Sequence, residues 1–160
     1  MINRKSVSGF LLVLACSPLA AVAGQFSMEG TSNNKENPTV KTLADNLMIV
    51  QTSNSGTLNL NDANNPLNGA TGGCTGTVLV VDGKPSGSGF CTYQDPDGDV
   101  SIVRWEAVSL NESGGNNGKW QLAGGTGKYA NAYAMGEYSS VSNEDRTEAV
   151  NSISGTLSLP

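Results

Sequence analysis

The chain has 160 residues, with nine basic and 14 acidic side chains, no histidine and a formal net charge of −5 at pH 7. The lack of histidine excludes histidine-based catalytic triads, the commonest zinc sites and the usual pH switch. The acidic balance, without clusters of basic residues, argues against nucleic acid or an anionic membrane surface as a partner.

The first 23 residues predict an export signal. Arg4 and Lys5 precede an apolar run, and Ala21–Ala23 supplies small residues of the cleavage type. The apolar run is too short to cross a bilayer, so no transmembrane span is expected. A lipoprotein-type signal with a lipid on Cys16 is the alternative. Either route predicts a periplasmic or extracellular protein.

The remaining chain is predicted to form a flexible, polar lead-in over 24–38 and a single β-domain over 39–160. Its 20 glycines punctuate short β-prone runs, and only the segment 41–47 has the pattern of a helical turn. About eight strands at regular spacing favour an antiparallel barrel or sandwich. These strands are predicted, in chain order, near 47–51, 57–60, 72–81, 84–94, 100–110, 119–123, 133–141 and 149–159.

Asp82-Gly83 predicts a tight hairpin and fixes its register. Asp-Gly between apolar runs favours a type I′ turn, which needs positive φ at both central residues. The register then places Cys74 opposite Cys91 on a non-hydrogen-bonded pair, where the Cα atoms are close enough for a disulfide. Pro85 also falls on a non-hydrogen-bonded position, where its missing N–H costs nothing. We therefore expect a Cys74–Cys91 disulfide, which an exported protein can form.

The next turn is rich in aspartate. Pro96 and Gly98 stand where a type I turn followed by a left-handed residue requires them. Asp95, Asp97 and Asp99 alternate as in a calcium-binding loop, but strand-forming residues follow where that loop needs glycine and further ligands. An acidic hairpin tip is the favoured interpretation, and a weak calcium site on the three aspartates is the alternative.

A glycine-rich segment, Gly124–Lys128, has some features of a phosphate-binding loop. Tyr129 follows the lysine, where that motif needs Ser or Thr to bind magnesium. The segment therefore predicts a glycine turn between strands, and no cofactor is expected.

The strand that follows the acidic turn carries the main candidate site. Alternation places Arg104 and Glu106 on one face and Trp105 on the other. If the first face lines a barrel lumen, the two charged groups would orient a ligand in an apolar pocket. If it faces outward, they form a surface pair of little energetic value.

Glu137 is the second candidate for an inward carboxylate. It shares a strand face with Tyr133, and without histidine a lumen glutamate is the remaining candidate for a general acid or base. The predicted ligand-binding residues are therefore Arg104, Trp105, Glu106, Tyr133 and Glu137. Arg104, Glu106 and Glu137 are also the catalytic candidates.

The segment 118–130, GKWQLAGGTGKYA, resembles the allene oxide cyclase and dirigent barrels. Those families carry a strand, a Gly-Gly-Thr/Ser-Gly turn, an aromatic residue and another strand. Residues 74–138 are also similar to exported bacterial proteins of unknown activity that are grouped with that barrel. The resemblance implies an eight-stranded antiparallel, lipocalin-like barrel with a mostly apolar cavity. Plant members cyclise a fatty-acid epoxide or steer the coupling of phenoxy radicals, but none of their catalytic residues can be placed on this sequence.

The sequence therefore predicts an exported β-barrel that binds a small, mostly apolar molecule in its lumen. A cyclase or isomerase that acts by cavity steering is the second hypothesis. The third is a non-enzymatic interaction barrel with a filled core, which would use the loops 61–73 and 111–118 as contact surfaces. A homo-oligomer is compatible with all three.

Overall fold

The computed structural model describes residues 24–160, so the predicted signal segment and Cys16 lie outside the described residues. No helix among the described residues is long and apolar enough to cross a membrane. The described chain forms ten strands and one short 3-10 helix, η1. Their bounds are β1 Gly24–Ser27, β2 Gly30–Glu36, β3 Thr39–Ala44, β4 Leu47–Leu60, β5 Thr71–Val81, β6 Lys84–Gln94, β7 Val100–Leu110, β8 Asn116–Gly125, η1 Gly127–Tyr129, β9 Tyr133–Ser142 and β10 Glu148–Leu159.

The strands form a closed antiparallel barrel, as predicted. The order β10-β2-β4-β5-β6-β7-β8-β9 returns to β10 through the β9–β10 pairing, which makes a ring of eight strands. Strand β1 pairs with the final part of β10 beyond β2. Strand β3 pairs with the first part of β4 as a side hairpin. Closure leaves no exposed edge on the eight barrel strands.

The predicted β5–β6 hairpin is confirmed in turn type and in register. Asp82 and Gly83 have φ values of 49° and 74°, the positive values that a type I′ turn requires. Cys74 lies opposite Cys91, and the two form a disulfide with Cα atoms 3.9 Å apart. The turn after β6 also follows the prediction, since Gly98 has a φ of 95°.

The first part of the chain differs from the prediction. The segment 24–38 contains β1 and β2 instead of a flexible lead-in. The inward residues of β2 include Ser32 and Asn34, which are buried. Ser32 donates to Asn34 at 2.9 Å, and Asn34 donates to the Ser32 carbonyl at 3.1 Å. Because the inward face is polar, hydrophobic alternation does not reveal this strand.

The next two strands, β3 and β4, also differ from the prediction. Residues 39–44 form strand β3 instead of part of a helical turn. The two predicted strands 47–51 and 57–60 are one continuous strand, β4. The polar stretch between them stays extended because it pairs along its length with β5.

The two ends of the barrel are built differently. One end, here called the closed end, carries the loops 61–70, 95–99 and 126–132. Leu67 and Ala70 of the first loop are 2% and 0% exposed, so this loop packs into the barrel like a plug. The other end, here called the open end, carries the turns 111–115 and 143–147.

Candidate functional site

The barrel encloses a cavity of about 110 Å³. This volume is comparable with an engineered apolar cavity of about 150 Å³ that accepts benzene. The core is therefore incompletely filled, and the free space suits one ring-sized group. The Cys74–Cys91 disulfide forms part of the cavity wall.

A row of aromatic and glycine residues runs around the wall of this cavity. Trp105 on β7 lies opposite Trp120 on β8, and glycines continue the row on both sides. Towards β5 the row continues with Gly89 and Gly76, and towards β10 it continues with Gly136 and Gly155. We call these six residues the tryptophan–glycine row.

The glycines provide the space in which the two indole rings lie. A Cβ atom on Gly89 would stand 2.6 Å from Cζ2 of Trp105, and one on Gly155 would stand 2.8 Å from Cζ2 of Trp120. Both distances are well below carbon–carbon contact, so neither position has room for a larger residue beside the indole. Both rings therefore lie against the barrel wall. The Trp105 ring lies beside Gly89 of β6, and the Trp120 ring lies beside Gly155 of β10.

The two indole N–H groups differ in their partners. Nε1 of Trp120 donates to the carbonyls of Glu137 and Ser154, each at 3.2 Å. Nε1 of Trp105 is buried and has no hydrogen-bond partner among the described residues. Trp105 itself is 8% exposed and lines the cavity. An unpaired buried donor costs about 1–3 kcal/mol, which a ligand with an acceptor would recover.

Tyr138 packs against Trp105 at the side of the cavity. The two ring centroids are 6.5 Å apart and the ring planes meet at 85°, an edge-to-face arrangement. The Tyr138 hydroxyl donates to Oδ1 of Asn116 at 2.7 Å. Burial, together with the negative charge of Glu106, raises the pKa of Tyr138, so this hydroxyl stays protonated at neutral pH.

Polar side chains line the part of the cavity nearer the open end, here called the open half. Oδ1 of Asn151 is buried there without a hydrogen-bond partner among the described residues. Oε2 of Glu36 accepts a hydrogen bond from the Ser142 hydroxyl at 2.8 Å. The open half consists of Glu36, Asn54, Asn116, Ser140 and Asn151.

The part nearer the closed end is apolar. Met28, Leu58, Leu67 and Ala134 line it and are each at most 4% exposed. The Tyr93 hydroxyl lies 3.5 Å from Sγ of Cys74. Burial raises the pKa of Tyr93, although a hydrogen bond with Ser32 partly opposes this shift. The cavity thus has an apolar floor, an aromatic middle and a polar open half.

Most of the sequence-predicted site residues lie outside the lumen. Arg104 and Glu106 project from the outer face of β7, and Tyr133 and Glu137 project from the outer face of β9. The surface alternative for Arg104 and Glu106 is therefore the one that the structure selects. Of the five predicted ligand-binding residues, Trp105 lines the lumen cavity. Both faces of β7 carry apolar side chains, so alternation did not show which one points inward.

Glu36 is the lumen carboxylate that the sequence analysis missed. It ends β2, a strand whose inward face is too polar to be recognised by hydrophobic alternation. It is the one charged side chain in the cavity lining that the structure describes. The signal that points to it is the period-two alternation of buried positions along β2, which becomes visible once the strand pairs with β10 and β4.

The three aspartates of the acidic turn surround the ammonium group of Lys128. Nζ of Lys128 contacts Oδ2 of Asp95 closely and lies 3.2 Å from Asp97 and 3.1 Å from Asp99. No acidic cluster suited to a metal ion occurs in the described residues. The ammonium group thus lies between the three carboxylates and offsets part of their negative charge, as expected of the acidic hairpin tip; the calcium alternative stays a prediction.

These contacts stabilise the closed end. The group of residues that makes them is here called the Asp95 cluster and consists of Asp95, Asp97, Asp99, Lys128 and Tyr129. The side chain of Asp95 is fully buried and accepts bonds from the Tyr129 hydroxyl at 2.8 Å and from the amides of Asp97 and Asp99 at 2.9 Å each. Burial acts to raise the pKa of Asp95, but these bonds and Lys128 outweigh it and hold the pKa below its usual value. Residues 126–128 of the predicted glycine turn lie in the connection between β8 and β9, and Gly124 and Gly125 end β8.

The same cluster raises the pKa of Lys128 and of Tyr129. Burial acts to lower the pKa of Lys128, but its hydrogen bonds to the carboxylates prevail and raise it. Burial and the bond to Asp95 raise the pKa of Tyr129. At neutral pH the cluster therefore holds an ionised Asp95, a protonated Lys128 and a neutral Tyr129.

Comparisons with known proteins support the fold. No protein-family model matches the chain, and no curated protein matches it. Among solved structures, a pterocarpan synthase dirigent protein is similar, with a TM-score of 0.50 and 9% sequence identity. The match covers 95% of this chain and 99% of that chain. The chain therefore has a dirigent-like barrel fold, and at this identity the likeness extends to the fold alone.

Proposed function

We propose that this barrel binds a small, mostly apolar molecule in its lumen, with Trp105 as a central contact. The observation that carries the proposal is a pair of buried atoms without hydrogen-bond partners among the described residues, Nε1 of Trp105 and Oδ1 of Asn151, which belong to two residues of the cavity lining. Buried polar atoms in folded proteins are usually paired. A ligand in the cavity can pair both, and the apolar floor accommodates its ring-sized part.

The cavity volume sets the expected size of the ligand. About 110 Å³ is smaller than typical drug-sized pockets of about 300–1,000 Å³. One ring therefore fits inside, and longer substituents extend towards the open end. The free space also weighs against the third hypothesis, an interaction barrel with a filled core.

Benzyl alcohol is a suitable first probe, because it combines one ring with one hydroxyl group. We expect it to bind and to raise the melting temperature of the protein in proportion to its occupancy. Ala134→Phe fills the lumen and should abolish this stabilisation, whereas Ala123→Phe, on the exposed face of β8, should preserve it. If Ala134→Phe does not fold, Leu122→Phe provides the same test. Equal stabilisation of the lumen and surface variants would refute binding in the lumen.

A cyclase or isomerase that acts by cavity steering is the second candidate. The observation that favours it is Glu36, a carboxylate in the cavity lining that is available for general acid–base chemistry. The dirigent protein of similar fold is itself a pterocarpan synthase. Under this proposal Glu36→Gln abolishes turnover of a cyclisable substrate and leaves the fold intact. Unchanged turnover in that variant would exclude Glu36 as the acid or base.

We also propose that the chain is an exported member of the group that includes the allene oxide cyclase and dirigent barrels. The Cys74–Cys91 disulfide supports an oxidising compartment. Mass spectrometry of the protein from an expressing bacterium tests this: cleavage after Ala23 gives a chain that begins at Gly24, and lipidation gives one that begins at Cys16. An uncleaved chain with free thiols would contradict export.

A further inference from the structure

The open half of the lumen carries a negative charge that no positive side chain in residues 24–160 balances within 4.0 Å. Glu36 is the charged member of the described cavity lining, and the ion pairs within 4.0 Å among the described residues all involve Lys128 at the closed end. Its hydrogen bond from Ser142 satisfies part of its capacity, since a carboxylate has about four acceptor sites. A cation from outside the chain is the chemical complement of this group.

The other open-half groups point to the same chemistry. Oδ1 of Asn151 is a buried acceptor to which no described residue donates, so it needs a donor. Asn151 lies opposite Ser140 on β9, two residues before Ser142, the partner of Glu36. Asn54 uses its own Oδ1 to accept from the amide of Cys74 at 2.9 Å. The amide N–H groups of Asn54 remain as donors, whereas Glu36 and Oδ1 of Asn151 are acceptors. A ligand carboxylate would meet repulsion from Glu36.

The middle of the lumen requires the opposite group. Nε1 of Trp105 is a buried donor for which the described part of the chain offers no acceptor, so it needs an acceptor on the ligand. The aromatic residues Trp105, Trp120 and Tyr138 line the same space, and aromatic rings attract cations at their faces. The ligand must therefore combine an oxygen acceptor near its ring with a donor group further towards the open end.

From this geometry we infer that the lumen selects a small organic amine, protonated at neutral pH, with a ring-sized apolar part and an oxygen acceptor. The ammonium group faces Glu36 and Asn151, and the oxygen accepts from Nε1 of Trp105. This inference rests on the proposed lumen binding and names its ligand class. The overall charge of −5 also favours the approach of cations over anions.

Three probes with the same hydroxyphenyl ring test the inference: tyramine, tyrosol and 4-hydroxyphenylacetate, which end in an ammonium, a hydroxyl and a carboxylate. Isothermal titration calorimetry at pH 7 and low salt gives each Kd. We expect tyramine to bind about tenfold more tightly than tyrosol, because of its charge-assisted bond to Glu36, and 4-hydroxyphenylacetate to bind most weakly. Phenethylamine, which lacks the oxygen, should bind less tightly than tyramine.

Two variants with matched chemistry assign the effect. Glu36→Gln should weaken tyramine about tenfold and bring it level with tyrosol. Glu137→Gln removes the same charge from the outer face and should leave the tyramine Kd within about twofold. Equal effects of the two variants would mean that tyramine responds only to the net charge of the protein, and would overturn the inference.

The remaining outcomes separate this inference from the proposed function. If tyrosol binds and tyramine binds no more tightly, the amine preference is wrong and lumen binding stands. If 4-hydroxyphenylacetate binds most tightly, the charge preference is reversed and the inference is overturned. If none of the probes binds the folded, oxidised protein, both the inference and the proposed lumen binding fail.

Discussion

The closed end and the lumen of this barrel differ in how completely their buried polar groups are hydrogen-bonded. At the closed end, the carboxylate of Asp95 accepts four hydrogen bonds, from Lys128, Tyr129 and the amides of Asp97 and Asp99. In the lumen, Nε1 of Trp105 and Oδ1 of Asn151 have no partner among the described residues. Buried polar groups with hydrogen-bond partners stabilise the fold. Buried polar groups without partners carry a free-energy cost, which a ligand can remove by pairing with them.

The two tryptophans show the same contrast within one row of the wall. Both rings lie beside glycines on opposite sides of the tryptophan–glycine row. The N–H of Trp120 donates to two backbone carbonyls of the barrel wall, so Trp120 is a structural residue. The N–H of Trp105, a residue of the cavity lining, has no hydrogen-bond partner among the described residues. The two tryptophans therefore differ in role: Trp120 supports the barrel wall, and Trp105 is the residue that we propose contacts a ligand.

The largest expected effect comes from breaking the closed end. Asp95→Asn leaves the ammonium of Lys128 without its buried partner, and removal of one partner of a fully buried pair costs about 3–5 kcal/mol. Lys128 is partly exposed and keeps Asp97 and Asp99, so we expect the free energy of unfolding to fall by about 2–3 kcal/mol. Urea denaturation at pH 7 measures it.

Glu36→Gln is the matched control in the lumen. It also neutralises a carboxylate, but no described lysine or arginine pairs with Glu36, so we expect its free energy of unfolding to change by less than about 0.5 kcal/mol. Equal decreases in the free energy of unfolding of Asp95→Asn and Glu36→Gln would contradict this account, in which the Asp95 cluster stabilises the fold and the lumen carboxylate does not.

The Asp95 cluster also predicts how stability depends on pH. The pKa of Asp95 is lowered in the folded protein, so its stabilisation is complete above the unfolded value of about 3.9 and is lost as the pH falls towards the folded pKa. We expect the difference in unfolding free energy between wild type and Asp95→Asn to be constant from about pH 5 to 8 and to shrink below about pH 4. A difference that grows on acidification would have the wrong sign.

A smaller effect separates the two tryptophans. Trp120→Phe removes a donor that has two acceptors, whereas Trp105→Phe removes a donor that has none within residues 24–160. Both lose the same part of the indole, so the difference isolates the hydrogen bonds. We expect Trp120→Phe to be destabilised by about 1 kcal/mol more than Trp105→Phe in the absence of ligand. Equal unfolding free energies would show that the two N–H groups are equally satisfied.

Local turn chemistry made part of this fold predictable. Asp82-Gly83 specified the β5–β6 register, and the cysteine pair and Pro85 agreed with it. The positive φ that a type I′ turn demands is a property of a few neighbouring residues, so it can be recognised without knowledge of the rest of the chain. The register of the acidic turn followed for the same reason.

The site was less predictable because its residues depend on contacts distant in the sequence. Glu36 belongs to a strand with a polar inward face, Ser32 and Asn34, which satisfy each other by hydrogen bonding. The inward face of β7 could not be chosen, because Ile102 and Val108 on the outer face are as apolar as Val103 on the inner one. Lys128 neutralises Asp95 only because η1 folds onto the acidic turn.

The most direct test of lumen binding follows the two indole N–H groups separately. The chain contains two tryptophans, so a ¹H–¹⁵N spectrum shows two indole signals, which the Trp120→Phe variant assigns. On titration with benzyl alcohol, we expect the Trp105 signal to shift saturably as its N–H gains an acceptor, and the Trp120 signal to move much less. Two signals that stay unchanged, or a larger shift at Trp120, would contradict a ligand site built around Trp105.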